Sequence, residues 1–412
     1  MKILLIHQYF KEGDLTGGVR FNEMTKIWQN MGHEISVIAG TIHGNAKSNA
    51  NKEFRGRIVT KTDQEGITVW RCYVSKSYNT GFIGRLWGYF SFVLSGIYAT
   101  LFKIDKAYDV ILVTSPPLFV GIIADVAARK LKSPYIFEVR DLWPESAIDI
   151  GVLKNKFIIQ LSYWLEKRFY KRAAKFIVLT PEFRKKLLET KKVPEKKLTM
   201  IPNAADFSLS ENLITSFNRQ QFRKKHQLEN YFVITYIGAH GIANGLYQVL
   251  ETAKLLKDTN VLFLLIGNGK SKEQLIKQAH DENINNVRFI DPVPKKEVLK
   301  FVLASEMGTS ILLKNDTFKT IYSNKTFDYM SCKRPILMAI DGISRELVEE
   351  ADAGTYVEPE NPEDFENKIR YYLNNPNLVE KQGKNGYYYA KKHFDRKVLA
   401  TQYLNSLIEV SN

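Results

Sequence analysis

The stretch Thr320-Ile321-Tyr322-Ser323-Asn324-Lys325-Thr326-Phe327-Asp328-Tyr329-Met330 lies between two apolar runs, Met307 to Leu313 and Pro335 to Ile340. The pattern predicts a strand, a polar loop, a helix and a second strand. A loop that enters a helix brings free backbone N–H groups to the positive end of the helix dipole, which suits a phosphate. Lys325 adds a mobile charge there. Asp328 falls one turn further in, where a carboxylate accepts from sugar hydroxyls but repels phosphate. The plainer alternative is a helix capped by Ser323 or Asn324, with Lys325 in solvent.

The neighbouring segments favour the phosphate. Val233 to Ile237 reads as a strand running into Gly238-Ala239-His240-Gly241-Ile242-Ala243-Asn244-Gly245, with a helix from Leu246. Leu262 to Ile266 runs in the same way into Gly267-Asn268-Gly269-Lys270. Val287-Arg288-Phe289 leads to Asp291-Pro292-Val293-Pro294, and Gly354-Thr355-Tyr356-Val357 is a last short strand. Two glycine clusters at the edge that also carries Ser323 to Asp328 predict a nucleotide pocket more strongly than any one loop would.

The first half opens as a βαβ unit: Ile3 to Ile6, a glycine-rich loop with Gly17-Gly18, then Phe21, Met24, Trp28 and Met31 at helical spacing, Gly32-His33, and Ile35 to Ile38. The loop is not GxGxxG, which argues against a dehydrogenase. Residues 44 to 66 read as a polar surface loop, and alternation resumes from Gly66 to Tyr73. Leu86 to Phe102 is a run of 17 residues without charge, short of the roughly 20 that span a bilayer, so it predicts a core helix or one that dips an aromatic face into a membrane. Asp109 to Thr114 and Pro134 to Val139 are strands. The second delivers Arg140-Asp141-Leu142-Trp143-Pro144-Glu145-Ser146 to the edge where open α/β sheets bind ligands. An ion pair that braces the loop is the competing reading of Arg140 and Asp141. Phe157 to Tyr170 predicts an aromatic helix with a cationic end. The domain boundary is placed in Leu198 to Asp206, giving domains 1–206 and 207–385 and a terminal helix within 386–412.

Composition bounds the rest. A chain of 412 residues, 44% hydrophobic and 25% charged, predicts two or three soluble domains. Cys72 and Cys332 make neither a disulfide framework nor a zinc site, which fits a cytoplasmic setting, and His7-Gln8 cuts the first apolar run short of a signal peptide. The net charge is +15, concentrated in residues 151–200, where 14 Lys and Arg face four Glu. With no nucleic-acid module in view, an anionic membrane is the preferred partner of that face, and no nucleic acid is expected.

Taken together, Gly17-Gly18, Gly32-His33, Ile201-Pro202-Asn203, Ile266-Gly267-Asn268-Gly269 and Ser323 to Met330 resemble the family-4 retaining glycosyltransferases. That resemblance implies the GT-B fold, two Rossmann-like α/β domains facing each other across a cleft. His7-Gln8-Tyr9-Phe10, Gly18 to Glu23 and Arg140 to Ser146 are similar to the bacterial L-fucosamine (N-acetyl-L-fucosamine) transferases of surface-polysaccharide biosynthesis. The resemblance implies a nucleotide-sugar donor, UDP first among the bases, and a lipid-linked or glycan acceptor at the inner face of the cell membrane. No cofactor or metal is expected. Lys325 and the amides near Ser323 and Asn324 would hold the diphosphate, Asp328 the ribose, and Thr320, Ile321 and Tyr322 the sugar. Gly17, Gly18, Gly238, His240, Gly241, Asn244, Gly267, Asn268 and Lys270 would line the donor, with Arg20 or Lys270 sharing the phosphate charge. Asp141 or Glu145 would meet the acceptor hydroxyl, with Arg140 and Trp143 on the acceptor side. The family's E-x7-E pattern appears here as Thr320 and Asp328, so its first carboxylate is absent. A sugar-nucleotide 2-epimerase of the same fold and a non-catalytic sugar-nucleotide-binding protein are the alternatives.

Overall fold

The computed structural model describes residues 1–12, 20–41, 56–79, 81–105, 107–149 and 153–412. Gly17 and Gly18 lie outside them. The described residues up to Pro202, together with Leu399–Asn412, form one compact unit, and Asn203–Val398 forms the other.

The first unit is built on an eight-stranded sheet in the order β3-β4-β2-β1-β5-β6-β7-β8. The strands are β1 Lys2–Ile6, β2 Glu34–Gly40, β3 Val59–Gln64, β4 Ile67–Cys72, β5 Val110–Ser115, β6 Tyr135–Val139, β7 Lys175–Val178 and β8 Leu198–Met200. All neighbours run parallel except β3, which pairs antiparallel with β4. Helices cover both faces, so the central strands are buried throughout and read as continuous apolar runs rather than alternating ones. Because the central strands are parallel, the loops after β1, β5 and β6 share one edge of the sheet.

Two sequence expectations are corrected here. The polar segment to residue 66 is not all loop: Val59–Gln64 is an edge strand joined to β4 through Glu65 and Gly66, both with positive φ (+52° and +85°). That is the geometry of a tight two-residue hairpin, and an edge strand needs no apolar face. The apolar helix starts at Gly81 rather than Leu86 and ends at Phe102, where Lys130 Nζ donates to the carbonyls of Thr100, Leu101 and Ile104. It packs on the helix Val120–Leu131, yet Trp87, Leu94 and Leu101, seven residues apart, stay exposed. Among the described residues no helix is long and apolar enough to cross a membrane.

The second unit holds a six-stranded, all-parallel sheet in the order β11-β10-β9-β12-β13-β14. The strands are β9 Phe232–Ile237, β10 Val261–Ile266, β11 Val287–Ile290, β12 Met307–Ile311, β13 Ile336–Ala339 and β14 Gly354–Tyr356. The stretch from 320 forms the predicted helix, Asn324–Ser331, between β12 and β13. The expected single terminal helix is two, Asn377–His393 and Arg396–Ser411. Between them Phe394 turns into the core against Phe327, ring centroids 4.7 Å apart, and Asp395 bridges to Ala205. From Leu399 the chain belongs to the first unit, where Trp28 Nε1 donates to the Ala400 carbonyl (2.8 Å) and Tyr403 packs on Trp28 and Phe21.

Candidate active site

In the second unit the loops after β9 and β10 interlock through their backbones. Gly238 N donates to Ile266 O (3.0 Å), His240 N to Asn268 O (2.9 Å) and Ser271 N to His240 O (2.9 Å). The approach is so close that a Cβ on Gly267 would lie 1.8 Å from the Gly238 carbonyl oxygen, and one on Gly269 would lie 2.4 Å from His240 O. Gly267 also holds φ at +153°, so only glycine fits this position. Lys272, nearly buried, clamps the β10 loop by donating to Gly267 O (3.0 Å) and to Asp291 Oδ1 (2.6 Å).

Lys325 meets this pair of loops. Its ammonium lies 4.0 Å from the centroid of the Tyr236 ring, and a Cβ on Gly238 would lie 3.6 Å from its Nζ. Among the described residues no carboxylate comes within salt-bridge distance of it. Burial pulls its pKa down from the usual lysine range to about 7. The plain capping alternative does not hold for Ser323: its side chain makes no cap hydrogen bond, and its N–H donates to Ser344 Oγ (3.1 Å). The N–H groups of Asn324 and Lys325 therefore have no acceptor among the described residues and remain available to an anion. Asp328 sits on the same helix, partly exposed, with Lys295 Nζ at 3.7 Å.

Other residues expected at the donor play different parts. His240 is fully buried with neither ring nitrogen hydrogen-bonded; burial, then Lys272 and Lys325, lower its pKa to about 4, so the ring is neutral. Its backbone, not its side chain, shapes the loop. Asn244 Oδ1 accepts from Gly241 N (3.3 Å) and closes the turn, while Asn268 and Lys270 are exposed. Thr320 Oγ1 donates to Thr317 O, Ile321 O accepts from Ser344 Oγ, and the Tyr322 ring packs on Phe327 and Phe394. The Tyr322 ring is thus partly buried against the core of the second unit.

In the first unit the edge after β6 carries Arg140, Asp141, Trp143 and Glu145. Burial raises the Asp141 carboxyl above its ordinary range, partly offset by hydrogen bonds from Ser146 and the Leu142 N–H, with Glu145 pushing it up further. Trp143 stands edge-on to Phe119, centroids 5.3 Å apart. Glu145 pairs with Lys191, which also donates to Glu166 Oε2 (2.7 Å); burial pushes the Glu166 carboxyl up to about 7. Glu145 is therefore held in an ion cluster. Arg20, expected to share the phosphate charge, is engaged within the first unit. Its guanidinium is buried, donates to Ile201 O (2.9 Å) and Pro202 O, and faces Glu138 Oε2 at 3.4 Å.

Sequence reading passed over Glu138, Lys191, Lys272, Lys295 and Tyr236. A lone carboxylate in the apolar strand Tyr135-Ile136-Phe137-Glu138-Val139 is the one signal that would have found Glu138. Among the described residues no three His, Cys, Asp or Glu side chains converge as a metal site.

Two Rossmann-like α/β units, one bringing glycine loops, a helix start and a lysine together, are the architecture of the GT-B transferases. The comparisons agree: residues 16–204 match the family described as Glycosyl transferase 4-like domain and residues 218–389 that described as Glycosyl transferases group 1, so the chain belongs to the family-4/group-1 glycosyltransferases. It is 22% identical, over 99% of its length and 100% of the relative's, to the Escherichia coli (strain K12) protein named "Putative colanic acid biosynthesis glycosyl transferase WcaI". Among solved structures it is similar in fold to Anabaena Alr3699/HepE in complex with UDP-glucose (TM-score 0.71, 16% identity, covering 99% of this chain and 100% of that one). It is also similar to WaaG, a glycosyltransferase involved in lipopolysaccharide biosynthesis (TM-score 0.67, 15% identity, 99% of each chain).

Proposed function

We propose that the protein transfers a sugar, with retention, from a UDP-sugar to a lipid-linked or O-antigen or capsule glycan acceptor, with N-acetyl-L-fucosamine as the first candidate sugar. The observation that carries this is Lys325, an ammonium with no carboxylate partner among the described residues, set beside two glycine loops and an uncapped helix start. Breaking a sugar–phosphate bond puts negative charge on the departing diphosphate, and preorganised cations and amides stabilise it most. The colanic acid relative and the UDP complexes of HepE support a nucleotide sugar and a surface glycan. Asp328 is assigned to the ribose. Asp141 accepts or orients the acceptor proton, and the departing phosphate can take that proton in a front-face reaction. Incubation with a panel of UDP-, GDP- and TDP-sugars, with and without bacterial lipid extract, tests the reading: product should need both components, and donor conversion without acceptor would indicate an epimerase.

Asp141→Asn is expected to lower kcat by about 10²-fold, the size of a general-base contribution, with UDP affinity unchanged. Glu145→Gln, which loosens the Lys191 cluster, should cost less than about tenfold in kcat and show mainly as a lower Tm. Steady-state kinetics and thermal melts separate the two, and equal kinetic losses would remove Asp141 from its role.

The membrane is assigned to the helices Gly81–Phe102 and Lys156–Arg172, both packed on Val120–Leu131. They expose Trp87 (53%), Leu94, Phe157 (73%) and Trp164 (58%), with Arg168 over the Trp164 ring at 5.7 Å. Exposed aromatic rings among cations suit the interface of an anionic bilayer. The protein should sediment with phosphatidylglycerol vesicles at low salt and largely dissociate at about 0.5 M salt. Replacing Trp87 and Trp164 by glutamate should weaken the low-salt binding, and a wild type that does not sediment at low salt would refute the assignment.

A further inference from the structure

The strand order of the second sheet reverses between β9 and β12, and there the two strands pair over two residues, Ile234 with Met307 and Thr235 with Gly308. The same register would next join the Ile237 N–H to the Thr309 carbonyl. Instead the hydroxyl of Tyr329, from the helix Asn324–Ser331, stands in that bond: it accepts from Ile237 N (3.0 Å) and donates to Thr309 O (3.1 Å). The ring behind it is wholly buried and lies on Gly308, where a Cβ would come within 2.4 Å of the ring carbon Cγ. Gly308 has no positive φ, so the ring and not the backbone requires a glycine inside this strand. Parting two buried strands is costly unless their polar groups find other partners, and here one hydroxyl satisfies both.

We propose that Tyr329 is the positioning residue of Lys325, holding β9 and β12 one hydroxyl apart so that the helix seats its lysine at the crevice between their carboxyl ends; what the crevice binds rests on the transferase reading above. Lys325 and Tyr329 are four residues apart and so share one face of the helix. Tyr329 bonds to the last residue of β9, and Lys325 lies over the ring of the residue before it, Tyr236. Thr326 and Ser323 add longer links to Ser310 of β12 (3.3 and 3.4 Å). The helix therefore bears on both strands at the point where open α/β sheets bind their ligands. Without the hydroxyl, Ile237 N–H and Thr309 O either draw together or stay unpaired, and the face that carries Lys325 shifts against Tyr236.

The test reads the placement of Lys325 first without ligand. In full-length protein whose lysines are reductively methylated with isotope-labelled formaldehyde, the Lys325 methyl resonance, identified by its loss in Lys325→Arg, should be shifted upfield by the face of the Tyr236 ring. Tyr329→Phe should return it towards the exposed lysines and weaken UDP binding about tenfold, the size of one lost charge-assisted hydrogen bond. Tyr372→Phe is the control: it removes a buried hydroxyl bonded to Gln382 Oε1 in the same unit, so it should lower Tm comparably and leave both readouts unchanged. If Tyr329→Phe fails to fold, Gly308→Ala, which presses on the same ring, takes its place with the same expectation. The proposal is overturned if the wild-type resonance lies among those of the exposed lysines, if it stays in place in the folded variant, if Tyr372→Phe moves it as far, or if it moves while UDP binds as tightly as before. A wild type that binds no UDP would refute the donor reading, and the resonance alone would still decide the positioning, so the two failures are distinguishable.

Discussion

Lys325→Ala is expected to lower the transfer rate by about 10²- to 10³-fold, the usual cost of removing one preorganised donor to a developing oxyanion, while the melting temperature holds or rises. The fold should survive because Lys325 makes no ion pair among the described residues that its loss would break, and the cavity it leaves lies beside the Tyr236 ring and Gly238. The same residue sets a pH dependence. In the free protein Lys325 titrates near 7 because burial disfavours its charge, and a bound diphosphate restores the ammonium. UDP affinity should therefore fall as pH climbs from 7 towards 9, with proton uptake on binding. Calorimetry in buffers of different ionisation enthalpy measures that uptake. Stability of the free protein runs the other way: a lysine whose folded pKa is depressed binds fewer protons folded than unfolded between pH 7 and its unfolded value of about 10.5, so this contribution improves as pH rises through that window. The other groups around it stay out of the window, His240 titrating near 4 and the Tyr236 phenol pushed far up by burial. Lys325→Arg should abolish the pH-dependent step; uptake that persisted in that variant would assign the proton elsewhere.

Gly267→Ala is the second large effect. Its methyl group would be placed 1.8 Å from the Gly238 carbonyl oxygen, at a φ of +153° that an alanine avoids. Backbone, not a flexible side chain, is in the way, so the β9 and β10 loops must part and the bonds between Gly238 and Ile266 and between His240 and Asn268 are lost. Strain and lost contacts together should cost about 3 kcal/mol or more. For a unit of this size that corresponds to roughly 6–12 °C in Tm. UDP binding should weaken far more than Tm alone explains. Gly241→Ala is the control: its Cβ would meet only Asn244 Oδ1 at 3.3 Å, and the position has no positive φ. If Gly267→Ala bound UDP like the wild type, the loop pair would not be part of the donor site.

The glycine loops and helix start of the second unit were legible because their parts are local. A strand followed at once by glycines, or a polar loop before an apolar helix, shows up as composition within ten residues, and Gly238, Gly267 and Lys325 came from such windows. The surroundings of the β6 edge in the first unit depend on partners far apart in the chain. Arg20 and Glu138 are separated by 118 residues, and nothing near Arg20 distinguishes a cation meant for a phosphate from one meant for a buried carboxylate. Lys270 and Lys272 show the same limit at short range, since both follow the glycine cluster but only Lys272 turns inward to the Gly267 carbonyl. The strand Val59–Gln64 was hidden for a different reason: an edge strand with two polar faces has no hydrophobic period to detect, and the Glu65-Gly66 turn was its only mark.

The hydrogen bond from Trp28 to Ala400 spans 372 residues, and the aromatic stack of Phe21, Trp28 and Tyr403 closes over the same distance. On the ribosome, the first unit is made early but lacks part of its core until Tyr403 has been translated. For all that time the nascent first unit presents the indole and phenyl rings that Tyr403 will later cover, a surface that invites chaperone binding.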